Sequence, residues 1–127
     1  MSYTQHRSEE SIEDYLETIL VLSKQHSEVR SIDIANEMHY SKPSVSVAMK
    51  NLRENDYITV TKEGYIYLTE KGREIAVRMY ERHKLLSSWL ISLGVSEATA
   101  TEDACGIEHH LSDESFEAIK KHLKEKS

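Results

Sequence analysis

The stretch SKPSVSVAMKNLRENDYITVTKEGYIYLT, residues 41–69, decides the fold. Ser41 is placed to accept a hydrogen bond from the open N–H groups of a helix start. Pro43 falls in the first turn of that helix, where its missing N–H costs little. Val45, Ala48, Met49 and Leu52 then recur at helical spacing. From Asp56 the period changes. DYITVTKEGYIYLT alternates apolar and polar residues on either side of KEG, with Gly64 supplying the turn, which is the pattern of a β-hairpin.

Upstream of this stretch, IDIANEM reads as a short helix capped by Ser31. Residues 9–25 read as an amphipathic helix, with Ser8 as N-cap and Ile12, Leu16, Ile19, Leu20 and Leu22 on its apolar side. Helix, short helix, turn, helix and hairpin together predict a winged helix-turn-helix. Ile32, Ala35, Met38, Val45, Ala48, Met49 and Leu52 are its expected core against the first helix. Downstream, Thr69 is placed to cap a long helix over roughly residues 70–93, with Ile75, Met79, Leu86, Trp89, Leu90 and Leu93 as a broad apolar face. Gly94 ends it. Helices over residues 96–111 and 113–124 follow, the second capped by Ser112. The expected chain is mainly α, with a winged helix-turn-helix over residues 1–70 and an all-helical domain over 71–127. So much apolar surface on three helices is naturally buried by self-association.

Of the 127 residues, 39% are hydrophobic and 30% charged, as in a globular protein. No apolar run approaches a membrane span, and the polar start MSYTQHRSEES has no signal-peptide character. A lone cysteine excludes an internal disulfide and fits a reducing cytoplasm. The net charge is −6, but it is unevenly spread. Residues 29–82 hold nine Lys/Arg against eight Asp/Glu, and the remainder holds seven against fourteen. That leaves a central segment able to face DNA beside an acidic, cation-attracting remainder. HExxH, a nucleophile elbow and a phosphate-binding glycine loop are all missing from the sequence, which argues against an enzyme.

The chemistry-bearing residues gather in DACGIEHHLS, residues 103–112. On a helix, Cys105, Glu108 and His109 stand at i, i+3 and i+4 and share a face, with Ala104, Ile107 and Leu111 as the adjacent apolar stripe. His110 points away from them, and Gly106 leaves room for a neighbouring element to approach. Thiolate, carboxylate and imidazole are ligands of first-row divalent metals. The same residues also fit a buried cysteine beside a solvated Glu–His pair. Asp14 and Glu17, one turn apart in EDYLETI, fit an exposed acidic face as well as a half-site, and His83 in YERHKLL fits an interface histidine as well as a ligand.

In DYLE (14–17), YERHKLL (80–86) and GIEHHLS (106–112), taken in that order, the chain resembles the diphtheria toxin repressor and manganese transport regulator family. The resemblance spans about residues 8–123, and SKPSVSVAMKNL looks like the family's recognition helix. It implies a metal-activated, dimeric, DNA-binding repressor of manganese or iron homeostasis genes, in the two-domain manganese-type form. It carries a metal-ligand role onto Asp14, Glu17, His83, Cys105, Glu108 and His109. Manganese-responsive members typically have glutamate where this chain has Cys105. Iron-responsive members have the cysteine but usually methionine where this chain has Asp14. The mixed set makes Mn²⁺ or Fe²⁺ the expected activator, with Zn²⁺ or Co²⁺ able to bind in vitro. The expected partners are operator DNA and a second copy of the chain, with no membrane and no small-molecule substrate. Pro43, Ser44, Ser46 and Val47, at the start of the recognition helix, are placed to reach base edges, and Lys42, Lys50 and Lys62 to contact phosphates. The competing reading is a winged-helix regulator that responds to a small molecule or to oxidation of Cys105. That reading gives no task to Asp14, Glu17 or His83.

Overall fold

The computed structural model describes residues 3–126, with side chains from Glu10 onward. The chain divides into two compact units between Val77 and Arg78, inside its fourth helix. The first unit holds α1 (Tyr3–Gln25), α2 (Ser31–Met38), α3 (Lys42–Glu54), β1 (Ile58–Val60), β2 (Ile66–Leu68) and the start of α4 (Glu70–Ser92). This is a winged helix-turn-helix. The second unit holds the rest of α4, α5 (Glu97–Glu108) and α6 (Asp113–Lys126), and is entirely helical.

α1 begins earlier than its apolar periodicity suggests. Neither proline nor glycine lies between Tyr3 and Gln25 to stop it, so Ser8 lies inside the helix, not before it, with a side chain outside those described. Tyr15, Leu16, Ile19, Leu20 and Leu22 are buried, and Ile12 is half-buried. The Tyr15 ring meets Tyr40 edge-on at 6.0 Å. Burial, with a smaller contribution from Tyr40, pushes the Tyr15 phenol above its ordinary pKa and keeps it neutral.

The N-cap of α2 is Arg30, not Ser31. Its backbone N–H donates to the carboxylate of Asp33 at 2.9 Å, the return bond of a capping box from the acid three residues on. α2 packs on α1 and α3 through Ile34 and Ala35, with Met38 half-buried. Ile32, expected in the core, is 36% exposed, because it lies two residues from Ile34 and therefore on another side of the helix. His39 closes α2 in the left-handed conformation (φ 59°), and three residues later α3 begins. Ser41 caps α3, accepting from the Ser44 N–H at 3.3 Å, and Pro43 sits in the first turn. Val45, Met49 and Leu52 are buried, and Ala48 is half-buried.

The hairpin pairs Ile58 with Leu68, Thr59 with Tyr67 and Val60 with Ile66. Ile58 and Ile66 point into the core, while Thr59 and Tyr67 are exposed. Gly64 (φ 89°) makes the turn a side chain would strain, its N–H donating to the Thr61 carbonyl at 2.9 Å. The Ile66 N–H donates to the Val29 carbonyl at 2.7 Å, which ties β2 to the segment before α2. Thr69 caps α4: its hydroxyl accepts from the Gly72 N–H at 3.1 Å and donates to the Asp56 carbonyl at 2.6 Å.

In the second unit, Gly94 (φ 101°) terminates α4, with the Val95 N–H returning to the Leu90 carbonyl at 3.1 Å. Ser96 caps α5 and Ser112 caps α6. α5 ends at Glu108, three residues before the sequence pattern runs out. Lys120 of α6 donates to Glu81 of α4 at 3.0 Å, and this hydrogen bond raises the lysine's pKa. Ile91 and Leu93 are exposed, so the far end of the expected α4 face is not covered by the described residues. No helix among the described residues is long and apolar enough to cross a membrane.

Gly72 marks a close approach of backbone to backbone in the first unit. A Cβ there would overlap the carbonyl oxygen of Tyr57, which is backbone and cannot swing aside. Gly72→Ala is expected to lose about 2–3 kcal/mol of stability, although alanine is the better helix former. Urea denaturation reads this, and an unchanged or raised midpoint would contradict the close approach.

Candidate metal centre

The candidate ligands of the second unit are arranged around the buried stripe of α5. That stripe is Ala100, Ala104 and Glu108, at i, i+4 and i+8, each fully buried. The third position is thus a carboxylate where periodicity calls for an apolar side chain. Ile107, expected in the stripe, is 37% exposed, and Leu111 is half-buried. The two alanines leave little bulk, and the α5 backbone can lie close to its neighbours.

A carboxylate without solvent needs partners. Glu108 Oε2 is hydrogen-bonded to His83 Nδ1 at 3.0 Å. Glu108 Oε1 is buried with no hydrogen-bond partner; the nearest ion-pair nitrogen, His109 Nε2, is 3.6 Å away. His109 sits just beyond the last helical residue but keeps a right-handed helical backbone (φ −85°, ψ −19°). It therefore stays on the face of Cys105 and Glu108, as the spacing predicts. The Sγ of Cys105, a carboxylate oxygen of Glu108 and a ring nitrogen of His109 lie within 4.8 Å of one another. Cys105 is exposed, and His109 is half-buried. A fully buried, unpartnered carboxylate oxygen flanked by an imidazole and a thiol is a setting that a divalent cation completes. The donor set thus fits a metal.

Asp14 and Glu17 lie one turn apart on α1 in the first unit, both half-buried beside the core residues Tyr15 and Leu16. His110 is exposed and lines a shallow surface groove with Leu90, Glu102, Asp103, Gly106 and Leu111. A Cβ at Gly106 would meet nothing within 4 Å among the described residues, so none of them uses the space it leaves.

A residue that periodicity did not single out stands next to His83. Arg82 is buried, and its guanidinium donates to the Glu108 and Leu111 carbonyls and to Asp113. It was legible in principle: Arg82 falls on the buried stripe of α4 between Met79 and Leu86, where a charge has no reason to be unless it is bound.

On the first unit, Lys42, Pro43, Ser44, Ser46, Val47 and Lys50 all stand exposed on α3, and Lys62 is exposed in the hairpin turn. Val47 is 62% exposed, an apolar side chain held in solvent on the leading turns of the helix. The Ser44 hydroxyl accepts from Ser41 Oγ at 2.8 Å, so it is oriented by the cap. Ile32, displaced from the core, lines a small pocket with Ser31, Lys42 and Ser46 and belongs to the same face. Arg30 lies over the Tyr65 ring at 4.8 Å and joins α2 to the wing.

The model of the iron dependent repressor N-terminal DNA binding domain matches residues 8–66, and that of the iron dependent repressor metal binding and dimerisation domain matches residues 69–126. The chain is 36% identical over 111 residues to the transcriptional regulator MntR of Escherichia coli O157:H7, covering 87% of this chain and 72% of that protein. It is 38% identical over 109 residues to the HTH-type transcriptional regulator MntR of Geobacillus kaustophilus, covering 86% and 77%. Among solved structures, the manganese regulator SloR superposes with a TM-score of 0.79 at 32% identity, over 89% of this chain and 53% of that one. A manganese-dependent transcriptional repressor in complex with manganese superposes with a TM-score of 0.81 at 27% identity, over 89% and 52%. The chain spans about half the length of those solved proteins.

Glu108→Gln keeps the shape of the side chain and removes its charge. In the presence of chelator, the variant is expected to be as stable as the parent or up to about 2 kcal/mol more stable, because an incompletely partnered buried charge is relieved. Denaturant titration checks this. A loss of more than about 2 kcal/mol would mean that the carboxylate is a structural partner of His83 with no need of a cation.

Proposed function

The chain belongs to the iron-dependent repressor family, and from that premise we propose that it is a metal-activated, sequence-specific DNA-binding repressor of manganese or iron uptake genes. The observation that carries the metal half of this reading is the bare, buried Oε1 of Glu108 beside His109 and Cys105. Residues 1–70 act as the DNA-binding domain and residues 71–127 as the metal-binding and dimerisation domain. Exposed Ile91, Leu93 and Ile107 supply apolar surface for a homodimer. A cytoplasmic location fits the unpaired cysteine.

In this reading His83, Cys105, Glu108 and His109 would hold the cation from the second domain, and Asp14 and Glu17 would contribute from α1. Glu108 turns one oxygen to His83 and the other towards His109, so both of its oxygens face candidate ligands. Bound there, a divalent cation supplies positive charge that lets the carboxylates of Asp14, Glu17 and Glu108 gather. The acidic residues of α1 thereby fix the DNA-binding domain, and a dimer can hold its two recognition helices about one DNA turn, ~34–36 Å, apart. A nearly complete switch needs the DNA-competent arrangement to be favoured by about 5.5 kcal/mol. The carboxylates favour Mn²⁺ or Fe²⁺, and the Cys105 thiolate moves the preference from Mn²⁺ towards Fe²⁺, with Co²⁺ and Zn²⁺ binding as well. On DNA, Pro43, Ser44, Ser46 and Val47 meet base edges, while Lys42, Lys50 and Lys62 meet phosphates. A sensor of oxidation at Cys105 would leave the buried Glu108 unexplained.

A DNA site selected from a random pool in Mn²⁺ provides the test, run anaerobically under reducing conditions across a panel of divalent metals. Mn²⁺ or Fe²⁺ is expected to support binding, and chelator to abolish it. Lys50→Ala should weaken binding to all sequences and lower the salt slope by about one. Equally tight binding by the metal-free protein would overturn the reading.

A further inference from the structure

We propose that Arg82 is a positioning residue for the metal centre: it fixes the backbone on both sides of His109 and the main chain of Glu108. This inference rests on the metal-binding reading above. Arg82 precedes His83 on α4, and its side chain is 4% exposed. Nη1 donates to the Glu108 carbonyl at 3.0 Å and to the Leu111 carbonyl at 2.5 Å. Nη2 donates to Asp113 Oδ1 at 2.5 Å, and the guanidinium carbon lies 5.1 Å from the centre of the Phe116 ring. One side chain thus gathers the end of α5, the link to α6 and the first turn of α6.

The placement bears directly on the ligands. The last carbonyls of a helix lack intrahelical partners, and a cation at that end is favourable. Here the carbonyl chosen is that of Glu108. His109 falls between two carbonyls bound by the same nitrogen, so its backbone, and with it the direction of its ring, is held from both sides. Consecutive residues of α4 therefore grip Glu108 at its two ends, Arg82 at the main chain and His83 at the carboxylate. Lysine keeps the charge but lacks the planar fork needed to reach three acceptors at once. A point charge in place of the fork leaves the link between α5 and α6 free to shift, and the two ligands with it.

The test uses Co²⁺ as probe, because its visible absorption and its thiolate charge-transfer band report ligand geometry. Wild type, Arg82→Lys, Asp113→Ala and Lys120→Ala are compared for Co²⁺ affinity, for Co²⁺ spectrum and for urea midpoint in chelator. Arg82→Lys is expected to bind about 10- to 100-fold more weakly, as for loss of an orienting partner, with altered bands. Asp113→Ala removes one acceptor at the exposed end of the network and should lose about two- to fivefold. Lys120→Ala should match wild type. If Arg82→Lys binds Co²⁺ with wild-type affinity and spectrum, or lowers only the urea midpoint, the proposal is overturned. Should Arg82→Lys fail to fold, wild-type affinity and spectrum in Asp113→Ala overturn it equally. A wild-type protein that takes up no Co²⁺ would overturn the metal reading itself, and the role of Arg82 with it.

Discussion

Glu108 places a carboxylate in the buried stripe of a helix, behind two alanines. Removing a carboxylate from water costs several kcal/mol even after the surroundings relax. The second unit is arranged around that cost. His83 binds one oxygen, His109 stands near the other, and Arg82 holds the carbonyl of the same residue. One oxygen is still left without a hydrogen bond. In the proposed reading this residual cost is what makes the fold responsive, because a cation satisfies the site more fully than any arrangement of the protein's own donors.

The first unit solves a different problem, which is to keep small side chains in solvent at fixed positions. The Ser41 cap and Pro43 define the start of α3, so Ser46 and Val47 project from a rigid turn. Thr69, Gly72 and Tyr57 lock the end of the hairpin against the first turn of α4 through hydrogen bonds and a contact too tight for a methyl group. The charge distribution serves the same end. The excess of acid lies outside residues 29–82, so the segment that would meet phosphates carries a slight positive balance while the remainder, which carries most of the candidate metal ligands, is acidic.

Much of this was legible in the sequence where a local rule has a single outcome. Ser41 with Pro43, Thr69, Gly64, Gly94 and Ser112 each do what their chemistry dictates, because caps and left-handed turns depend on neighbours a few residues away. The i, i+3, i+4 spacing of Cys105, Glu108 and His109 likewise brought three ligand atoms together. What failed depended on packing. In SIDIANEM two isoleucines compete for one face, and only the contact of α2 with α1 and α3 selects Ile34 over Ile32. In α5 the apolar residues suggested a stripe through Ile107, whereas the buried stripe runs through the alanines to an acid. The pattern does not show what binds Arg82, because two of its three partners are main-chain carbonyls 26 and 29 residues away and the third, Asp113, is 31 away.

The most direct measurement is anomalous diffraction from crystals of the reduced protein grown with Mn²⁺. The account predicts a metal peak within about 2.5 Å of Glu108 Oε1, in contact with His109. A fully loaded protein whose metal lies elsewhere, with Glu108 Oε1 still unpartnered, would contradict it.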